Sequence, residues 1–339
     1  MKAAVLHGPR DLRIEEVPRP KLRPGHVVVR VRATAVCGTD VGIYTGKALV
    51  PGLPVIQGHE STGEIVECSE GVADLTVGDR VVLNSVTFCR HCAYCYTGQV
   101  NLCLNGGLMG RELDGTFAEY VTVPDYSCIK IPDTISYEDG TSLIALSTVF
   151  HSHDKIRITP GETAAVIGQG AAGLMQTRLA VISGAEPVFA VSRSQWKLDI
   201  AETFGAAIIN AGTADPVRAV KDATGGLGVD LAIESVGSGA TLRQAMDMVR
   251  PGGTVLLFGI APAAMDGFNG YAMYYKELKI FGSRGMTPKD FHRGIKVLEN
   301  GKMDLRSLIT HRFDLNHVKE ALDLVDQRPG DALRVVVTI

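Results

Sequence analysis

Four cysteines stand close together in one short stretch, and their spacing is the strongest chemical signal in the chain. They follow a C-x2-C-x2-C-x7-C pattern and comprise Cys89, Cys92, Cys95 and Cys103. The residues between them are polar and turn-rich, with no hydrophobic period that would make the stretch a core element. Four thiolates so arranged can fill a tetrahedral zinc site completely. The spacing therefore predicts a structural zinc, which supports a lobe of the fold and performs no chemistry.

Disulfide bonding is the alternative for these cysteines, and it needs an oxidising compartment. The first twenty residues do not have the pattern of a signal peptide, because their apolar run is short and charges follow at once. We therefore expect a soluble protein of the reducing cytoplasm with free thiolates. Two of the remaining cysteines, Cys68 and Cys128, stand apart from any ligand pattern and are interpreted as packing residues.

A second candidate metal site has a different chemical character. Cys37 begins the segment Cys-Gly-Thr-Asp, and His59 and Glu60 lie within Gly-His-Glu-Ser-Thr-Gly. Taken separately, a lone cysteine is usually a core residue and a lone His-Glu pair usually lies on the surface. Together, a thiolate, an imidazole and a carboxylate suit zinc, and three protein ligands leave one position open for water or substrate. The combination predicts an open, catalytic zinc site.

A glycine-rich turn predicts a dinucleotide site. Gly168, Gly170 and Gly173 form a G-x-G-x-x-G pattern that follows a buried strand directly and opens a segment of helical character. The first glycine permits the tight turn, the second lets a pyrophosphate approach the backbone, and the third allows close helix–strand packing. The helix N-terminus then faces the phosphates. A glycine-rich turn without a ligand is the alternative, and the strand–turn–helix context argues against it.

The end of the next strand bears on the choice of cofactor. An NAD-binding unit usually carries an acidic residue there, which binds the ribose 2′-hydroxyl. This chain has Ser192 and then Arg193, with Lys197 one helical turn farther on. Without the carboxylate, a 2′-phosphate is not repelled, and an arginine can bind it through charge-assisted hydrogen bonds. A solvated surface arginine is the alternative for Arg193. We expect NADP(H) to be favoured over NAD(H).

The secondary-structure elements that must position these residues follow two patterns along the chain. Residues 27–35, 64–67, 80–83 and 118–123 have the pattern of short strands separated by turn residues, and residues 27–35 have the alternation of a half-buried strand. From about residue 160, strands alternate with helices, as in a parallel doubly wound sheet. The predicted helices are 171–183 and 195–204, and the predicted strands are 187–192, 206–210, 229–235 and 254–260. A helix over 315–326 and a strand over 332–339 end the chain.

Length and composition limit the possible classes of function. At 339 residues the chain is long enough for two domains, and 45% hydrophobic residues are ample for their cores. The net charge is −3, with both signs mixed along the chain, so we expect no nucleic-acid partner. No apolar stretch approaches membrane-spanning length, so we expect no membrane partner.

These motifs together resemble the zinc-containing medium-chain alcohol dehydrogenase superfamily, and the polyol (sorbitol) and threonine dehydrogenase branch in particular. The resemblance covers essentially the whole chain. It implies a chaperonin-10-like β-barrel catalytic domain over 1–150, a Rossmann domain over 151–284, a return to the catalytic domain over 285–339, and a cleft between the lobes. It also implies a homodimer or homotetramer.

The resemblance also implies roles for individual residues. Cys37 and His59 match the family's catalytic zinc ligands, Glu60 matches a glutamate that ligates or adjoins the zinc, and Thr39 matches the hydroxyl that begins the proton relay. Two departures stand out. Ile144 occupies a position where the family often has a ligating or supporting Cys, Asp or Glu, and Gly42 replaces a frequent relay histidine.

The expected activity is hydride transfer between a nicotinamide cofactor and a secondary alcohol or ketone, of polyol, sugar, cyclitol, amino-alcohol or simple type. Two other hypotheses remain open at this point. One is a zinc-free NADPH reductase of the quinone-reductase kind on the same fold, and the other is a nucleotide-binding redox sensor without turnover. Metal content separates them from the dehydrogenase, because only the dehydrogenase needs both a structural and a catalytic zinc.

Overall fold

The structure is a computed structural model, and it describes residues 1–260, 268–327 and 330–339. In this part of the chain the strands are β1 (Lys2–Gly8), β2 (Asp11–Glu16), β3 (His26–Val36), β4 (Val55–Ile56), β5 (Glu60–Cys68), β6 (Arg80–Leu83), β7 (Val86–Thr87), β8 (Gly107–Leu108), β9 (Tyr120–Pro124), β10 (Cys128–Lys130), β11 (Ala164–Ile167), β12 (Val188–Ser192), β13 (Ala207–Asn210), β14 (Val229–Glu234), β15 (Val249–Leu257), β16 (Lys279–Gly282), β17 (Ile309–Asp314) and β18 (Arg334–Thr338).

The helices of the described residues are α1 (Gly38–Tyr44), α2 (Ala93–Tyr96), α3 (Tyr137–Ile156), α4 (Ala171–Ile182), α5 (Gln195–Thr203), α6 (Pro216–Ala223), α7 (Gly239–Met248), α8 (Gly270–Tyr275), α9 (Pro288–Glu299) and α10 (Val318–Gln327). Short 3₁₀ turns cover Val100–Leu102, Asp125–Ser127, Arg306–Leu308 and Leu315–His317. Each of these helices is too short or too polar to cross a bilayer.

The chain forms two compact units, and the first change of unit falls within α3. One unit comprises residues 1–147 and 285–339, and the other comprises residues 148–284. The first unit is built mainly from antiparallel sheets. Its largest sheet has the order β10-β6-β5-β3-β18-β17, with β9 paired to β3, and β2-β1-β4 forms a smaller sheet. Within the larger sheet only β17 and β18 run parallel.

Strand β3 is the centre of the first unit because it pairs with β5, β9 and β18. Its odd-numbered valines, Val27, Val29 and Val31, enter one apolar cluster, while Val36 enters another. The strand predicted over 27–35 is confirmed, but the prediction that it is half-buried is wrong for most of its length. Only Arg30 is exposed and Arg32 partly so, because both faces of β3 are covered by other elements.

The second unit is a parallel six-stranded sheet in the order β13-β12-β11-β14-β15-β16. All five pairings are parallel. The order of the strands across the sheet reverses between β11 and β14, which confirms the predicted doubly wound class. Its strands are short apolar runs that are nearly wholly buried, as helices on both faces require. The point of reversal is where ligands of such sheets bind, at the carboxyl ends of the strands.

Candidate active site

Cys37 lies between the end of β3 and the first turn of α1. It occupies the N-cap position, and its backbone N–H donates to Asp40 Oδ2 at 2.9 Å. Asp40 thereby closes the first helical turn, as an acidic residue at this position commonly does. Thr39 lies in the same turn and is half-buried. A strand that ends where a short helix begins therefore holds the thiol and the hydroxyl within one turn.

His59 and Glu60 follow a turn that is packed too tightly for side chains at its glycines. Gly58 has φ +94°, and a Cβ there would lie 2.8 Å from the backbone N of Phe117. A Cβ on Gly115 would lie 2.1 Å from the Gly58 carbonyl oxygen. The backbone of residues 115–117 also bonds to that of residues 56–58. These contacts between residues 115–117 and 56–58 fix the start of β5 at Glu60. They thereby fix the positions of the His59 imidazole and the Glu60 carboxylate.

The structure brings Cys37, His59 and Glu60 together, with their ligand atoms all within 4.8 Å of one another. His59 is buried and its Nδ1 lies 2.9 Å from Oδ1 of the wholly buried Asp40. That contact leaves Nε2 as the nitrogen able to bind a metal, an arrangement common among metal-binding histidines. The part of the chain that the structure describes supplies no fourth Cys, His, Asp or Glu to this group.

Electrostatics around His59 favour its charged form. Burial lowers the pKa of His59, but the charge and hydrogen bond of Asp40, with a smaller contribution from Cys37, raise it, and the net pKa lies well above the usual value. A metal that binds this imidazole must therefore displace a proton, so binding weakens as the pH falls. Asp40 was not among the residues predicted from the sequence, although its place three residues after Cys37 was a local signal.

Glu60 makes a buried ion pair with Arg334 at the start of β18. Glu60 Oε2 lies 2.6 Å from Nη1, and the two side chains are only 6% and 5% exposed. The same oxygen accepts no well-aligned hydrogen bond, so the contact is chiefly Coulombic. Arg334 also donates from Nη2 to the Thr141 carbonyl in α3 at 3.1 Å. The ion pair therefore holds the Glu60 carboxylate in place beside Cys37 and His59.

Arg334 was missed by sequence reasoning, because it comes from the opposite end of the chain. A single charged residue opening an otherwise apolar strand, Arg-Val-Val-Val, was the available signal. Gln57 was missed as well. Its Nε2 donates to the Asp40 carbonyl at 3.1 Å, and its buried Oε1 has no partner in the described residues. Ile144 lies on α3 one turn after Thr141 and is 2% exposed, so an apolar side chain fills that position.

The four-cysteine cluster also forms in the structure. Its sulfur atoms all lie within 4.8 Å of one another, with Sγ–Sγ separations of 3.5 Å for Cys92–Cys95, 3.9 Å for Cys92–Cys103 and 4.0 Å for Cys89–Cys95. A tetrahedral zinc with Zn–S bonds of about 2.3 Å implies sulfur separations of about 3.8 Å. All four cysteines are free. The cluster therefore has the dimensions of a zinc site and lacks disulfides.

Hydrogen bonds favour the thiolate form at two of the four cysteines, whereas burial and the neighbouring thiols raise the pKa of Cys95 to about 12. The backbone N–H of His91 lowers the pKa of Cys89 to about 6, and that of Leu104 lowers the pKa of Cys92. Asn105 Nδ2 adds a contact to Cys89 Sγ at 3.6 Å. A backbone that points N–H groups at sulfur favours deprotonated thiols, which are the form that binds zinc.

In the second unit the glycine-rich turn has the geometry predicted for it. Gly168 has φ +93°, and a Cβ on Gly173 would lie 1.8 Å from the Gly168 carbonyl oxygen. Gly170 is the N-cap of α4, and nothing lies within 4 Å of the position of its missing Cβ. The turn is thus closed on the side of the helix and open at Gly170, which fits the approach of a phosphate group.

Strand β12 ends at Ser192, beside this turn in the sheet order. Arg193 follows it and is exposed, and its guanidinium makes no ion pair or hydrogen bond with the residues that the structure describes. Ser192 Oγ accepts from the Ser194 N–H at 3.1 Å. Lys197 in α5 is buried, with Nζ 5.2 Å from the centroid of the Trp196 ring. The serine and arginine are available to a ligand, while the lysine lies in a buried setting.

Comparisons with known proteins agree with both units. The family profile described as an alcohol dehydrogenase GroES-like domain matches residues 23–133, and the zinc-binding dehydrogenase profile matches residues 171–300. Sorbitol dehydrogenase of Bacillus subtilis is 31% identical over 99% of this chain and 97% of its own length. L-threonine 3-dehydrogenase of Pyrococcus horikoshii is 34% identical over 95% of this chain and 93% of its own length.

Two solved structures extend the likeness to the whole fold. A zinc-binding dehydrogenase of Sinorhizobium meliloti bound to NADP is 30% identical with a TM-score of 0.92. An alcohol dehydrogenase of Escherichia coli complexed with NADH is 29% identical with a TM-score of 0.93. Each alignment covers 100% of this chain and 99% of the other. These matches confirm the predicted pairing of a GroES-like domain with a Rossmann sheet. The chain therefore belongs to the zinc-binding medium-chain alcohol dehydrogenases, and within them it is similar to the polyol and threonine dehydrogenases.

Proposed function

We propose that this enzyme oxidises secondary alcohols of polyol, sugar, cyclitol or amino-alcohol type, or reduces the matching ketones, at a zinc held by Cys37, His59 and Glu60. The observation that carries the proposal is the convergence of these three ligand atoms around an imidazole oriented by Asp40. A zinc-free reductase does not require a thiol, an imidazole and a carboxylate grouped as metal ligands. A sensor without turnover does not require a metal site with a fourth position open to substrate.

Each residue of the open site has a distinct proposed task. Cys37, His59 and Glu60 bind the metal, which when present polarises the substrate oxygen as a Lewis acid. Asp40 holds the His59 tautomer, and Arg334 limits the freedom of Glu60. Thr39 accepts the substrate's hydroxyl proton while its own hydroxyl releases one. Because Gly42 offers no side chain to continue the relay, the proton leaves Thr39 to solvent.

A screen of alcohols and ketones, followed by cofactor absorbance, tests the proposal. We expect turnover with a secondary alcohol or its ketone, two zinc ions per chain to match the two ligand groups, and loss of turnover on chelation with recovery on adding zinc. Metal-free protein that retains full turnover would favour the zinc-free reductase. One zinc per chain and no turnover with any member of the screen would favour the sensor.

The cofactor preference is proposed to be NADP(H) over NAD(H), through Ser192 and Arg193; the buried Lys197 has no part in this proposal. What favours it is an exposed arginine directly after a strand that ends without a carboxylate. A charge-assisted hydrogen bond contributes about 1.5–3 kcal/mol, which corresponds to roughly tenfold to a hundredfold in discrimination.

Arg193→Ala is therefore expected to lower kcat/KM with NADP(H) roughly tenfold to a hundredfold while changing kcat/KM with NAD(H) little. Ser192→Asp is expected to shift the ratio of the two efficiencies toward NAD(H), because it restores the carboxylate. Arg218→Ala on α6 is the matched control, since Arg218 is also an exposed arginine of this unit. A wild type that prefers NAD(H), with a ratio unmoved by Arg193→Ala, would contradict the proposal.

We also propose that the chain forms a homodimer or homotetramer through the β16 edge of the second unit. Within the described residues β16 has a strand neighbour on one side only, and the nearby helix α8 exposes Tyr271, Tyr274 and Tyr275 by 72%, 80% and 73%. An open strand edge beside exposed aromatic side chains is a surface that proteins usually cover. Light scattering should give two or four times the chain mass, and Tyr274→Glu should lower it. A wild-type monomer would contradict the proposal.

A further inference from the structure

Glu234 is a buried carboxylate to which the activity described above assigns no role. We propose that it is a positioning residue for the cofactor: it holds the loop of residues 235–237 against the glycine-rich turn, so that the turn is preorganised to receive a dinucleotide. The inference rests on the proposed function, because it needs a nicotinamide cofactor at Gly168–Gly173.

The contacts of Glu234 all lead to one loop and to the helix after it. The side chain is 0% exposed, and its Oε1 accepts from the backbone N–H groups of Val236 at 2.8 Å and Gly237 at 2.9 Å. The hydroxyl of Thr241 in α7 donates to the same oxygen at 2.7 Å. Oε2 lies 3.1 Å from the Gly237 N–H. Charge-assisted bonds of this kind are among the stronger hydrogen bonds of proteins.

The loop that Glu234 holds touches the glycine-rich turn directly. A Cβ on Gly168 would lie 2.6 Å from Cγ2 of Val236 and 3.4 Å from the backbone of Ser235. The Ser235 N–H also donates to the carbonyl of Ile167, the last residue before the turn, at 2.9 Å. A movement of the loop toward β11 would therefore press on Gly168, and a movement away would remove its support.

The position of Glu234 in the sheet explains why this contact matters. Glu234 is the last residue of β14, and β14 is the neighbour of β11 across the point where the strand order reverses. Ligands of doubly wound sheets bind at that point. The β15 end closes over the same carboxylate, because a Cβ on Gly259 would lie 2.8 Å from Oε2. Three strand ends thus meet around one buried charge whose donors lie in the loop and in α7.

Replacing this carboxylate should loosen the turn and leave the sheet intact. In Glu234→Gln the volume is kept, but the charge is lost, so the three bonds to Oε1 become neutral ones, and an amide NH₂ group takes the place of Oε2 against the Gly237 N–H. The loop then samples positions that do not support Gly168, and the fraction of molecules ready to bind cofactor falls. The affinity for the dinucleotide should fall with that fraction, independently of the zinc sites.

The test is a fluorescence titration of zinc-loaded protein with NADPH and with NADH, without substrate. We expect Glu234→Gln to raise the Kd of the better-bound cofactor about tenfold, the size expected for one lost charge-assisted bond. Thr241→Val, which removes one donor and keeps the carboxylate, should raise the Kd about threefold. If Glu234→Gln does not fold, the Kd of Thr241→Val alone tests the inference. Zinc content should equal that of the wild type in both variants.

Asp230→Asn is the matched control, because Asp230 lies on the same strand at its other end. Its carboxylate accepts from the backbone N–H and the hydroxyl of Thr163 and pairs with Arg250, so it is also a backbone-tying acid. It should lower Tm as Glu234→Gln does and leave the cofactor Kd unchanged. A Glu234→Gln variant with lowered Tm and wild-type Kd would overturn the inference and leave the proposed function standing. A wild type that binds neither cofactor would overturn both.

Discussion

Replacing His59 with alanine is expected to remove one zinc per chain and to lower kcat/KM by about a thousandfold or more. The reason is structural: His59 is one of three proposed ligands of the open site, and the described residues offer no other Cys, His, Asp or Glu there to replace it. With two ligands left, the metal is held too weakly to act as a Lewis acid. Zinc per chain, measured by atomic emission, and steady-state kinetics with saturating cofactor together check the result.

The control for this experiment is the substitution of a second buried histidine. His153→Ala removes an imidazole in α3 whose Nε2 lies 2.6 Å from Gln176 Oε1 and which belongs to neither ligand group of the described residues. That variant should keep both zinc ions and lose stability only. Thr39→Val should also keep both zinc ions while losing rate, because the hydroxyl is proposed to move a proton and to bind no metal. If His59→Ala retains two zinc ions and wild-type turnover, the open site is assigned to the wrong residues.

Replacing Cys95 with serine is expected to release the other zinc and lower Tm by about 5–10 °C, with KM unchanged in the enzyme that remains folded. Cys95 lies 3.5 Å from Cys92 and 4.0 Å from Cys89 at the sulfur atoms, so its loss opens a closed four-thiolate site. Residues 89–103 contain little regular structure beyond α2 and one 3₁₀ turn, so we expect a bound metal to supply much of their order. Thermal unfolding and zinc content give the two measurements.

Cys128→Ser separates the loss of a ligand from the loss of a thiol. Burial raises the pKa of Cys128, and its side chain packs against the apolar cluster of β3, β5 and β6, away from any ligand group. It should change stability by a small amount and leave the zinc content at the wild-type value. A Cys95→Ser protein as stable as the wild type would show that the lobe does not depend on its metal.

Much of the second unit could be predicted from the sequence because its signals are local. Strands 187–192 and 229–235 and helices 171–183 and 195–204 agree with β12, β14, α4 and α5 to within about a residue, since each strand is one short apolar run bounded by turn residues. Strand β15 begins five residues before the predicted Thr254, where the pattern is broken by Pro251 and two glycines.

The first unit was harder to predict, and α3 shows why. This helix of 20 residues was not predicted at all, because small polar residues such as Thr141, Ser142 and Ser147 interrupt its apolar pattern although they are buried. In α3, where most residues are buried, amphipathic periodicity no longer reports the helix. Helix α9 was missed although it buries one face only and Thr287 followed by Pro288 is a helix-start signal. The terminal helix begins at Val318 rather than Leu315 because a 3₁₀ turn precedes it.

By itself the sequence determined which residues have chemistry to offer and how they group locally: four cysteines within one short loop, a His-Glu pair after a glycine, and three glycines at one strand–helix turn. Neighbours along a chain stay neighbours in space, so these groupings needed no knowledge of the fold. Only the tertiary structure decided that Cys37 meets His59, that Asp40 orients the imidazole, and that Arg334 pairs with Glu60. Those contacts depend on sheet register and on the return of the chain's last strand, which are set by long-range packing and not by local residue preference.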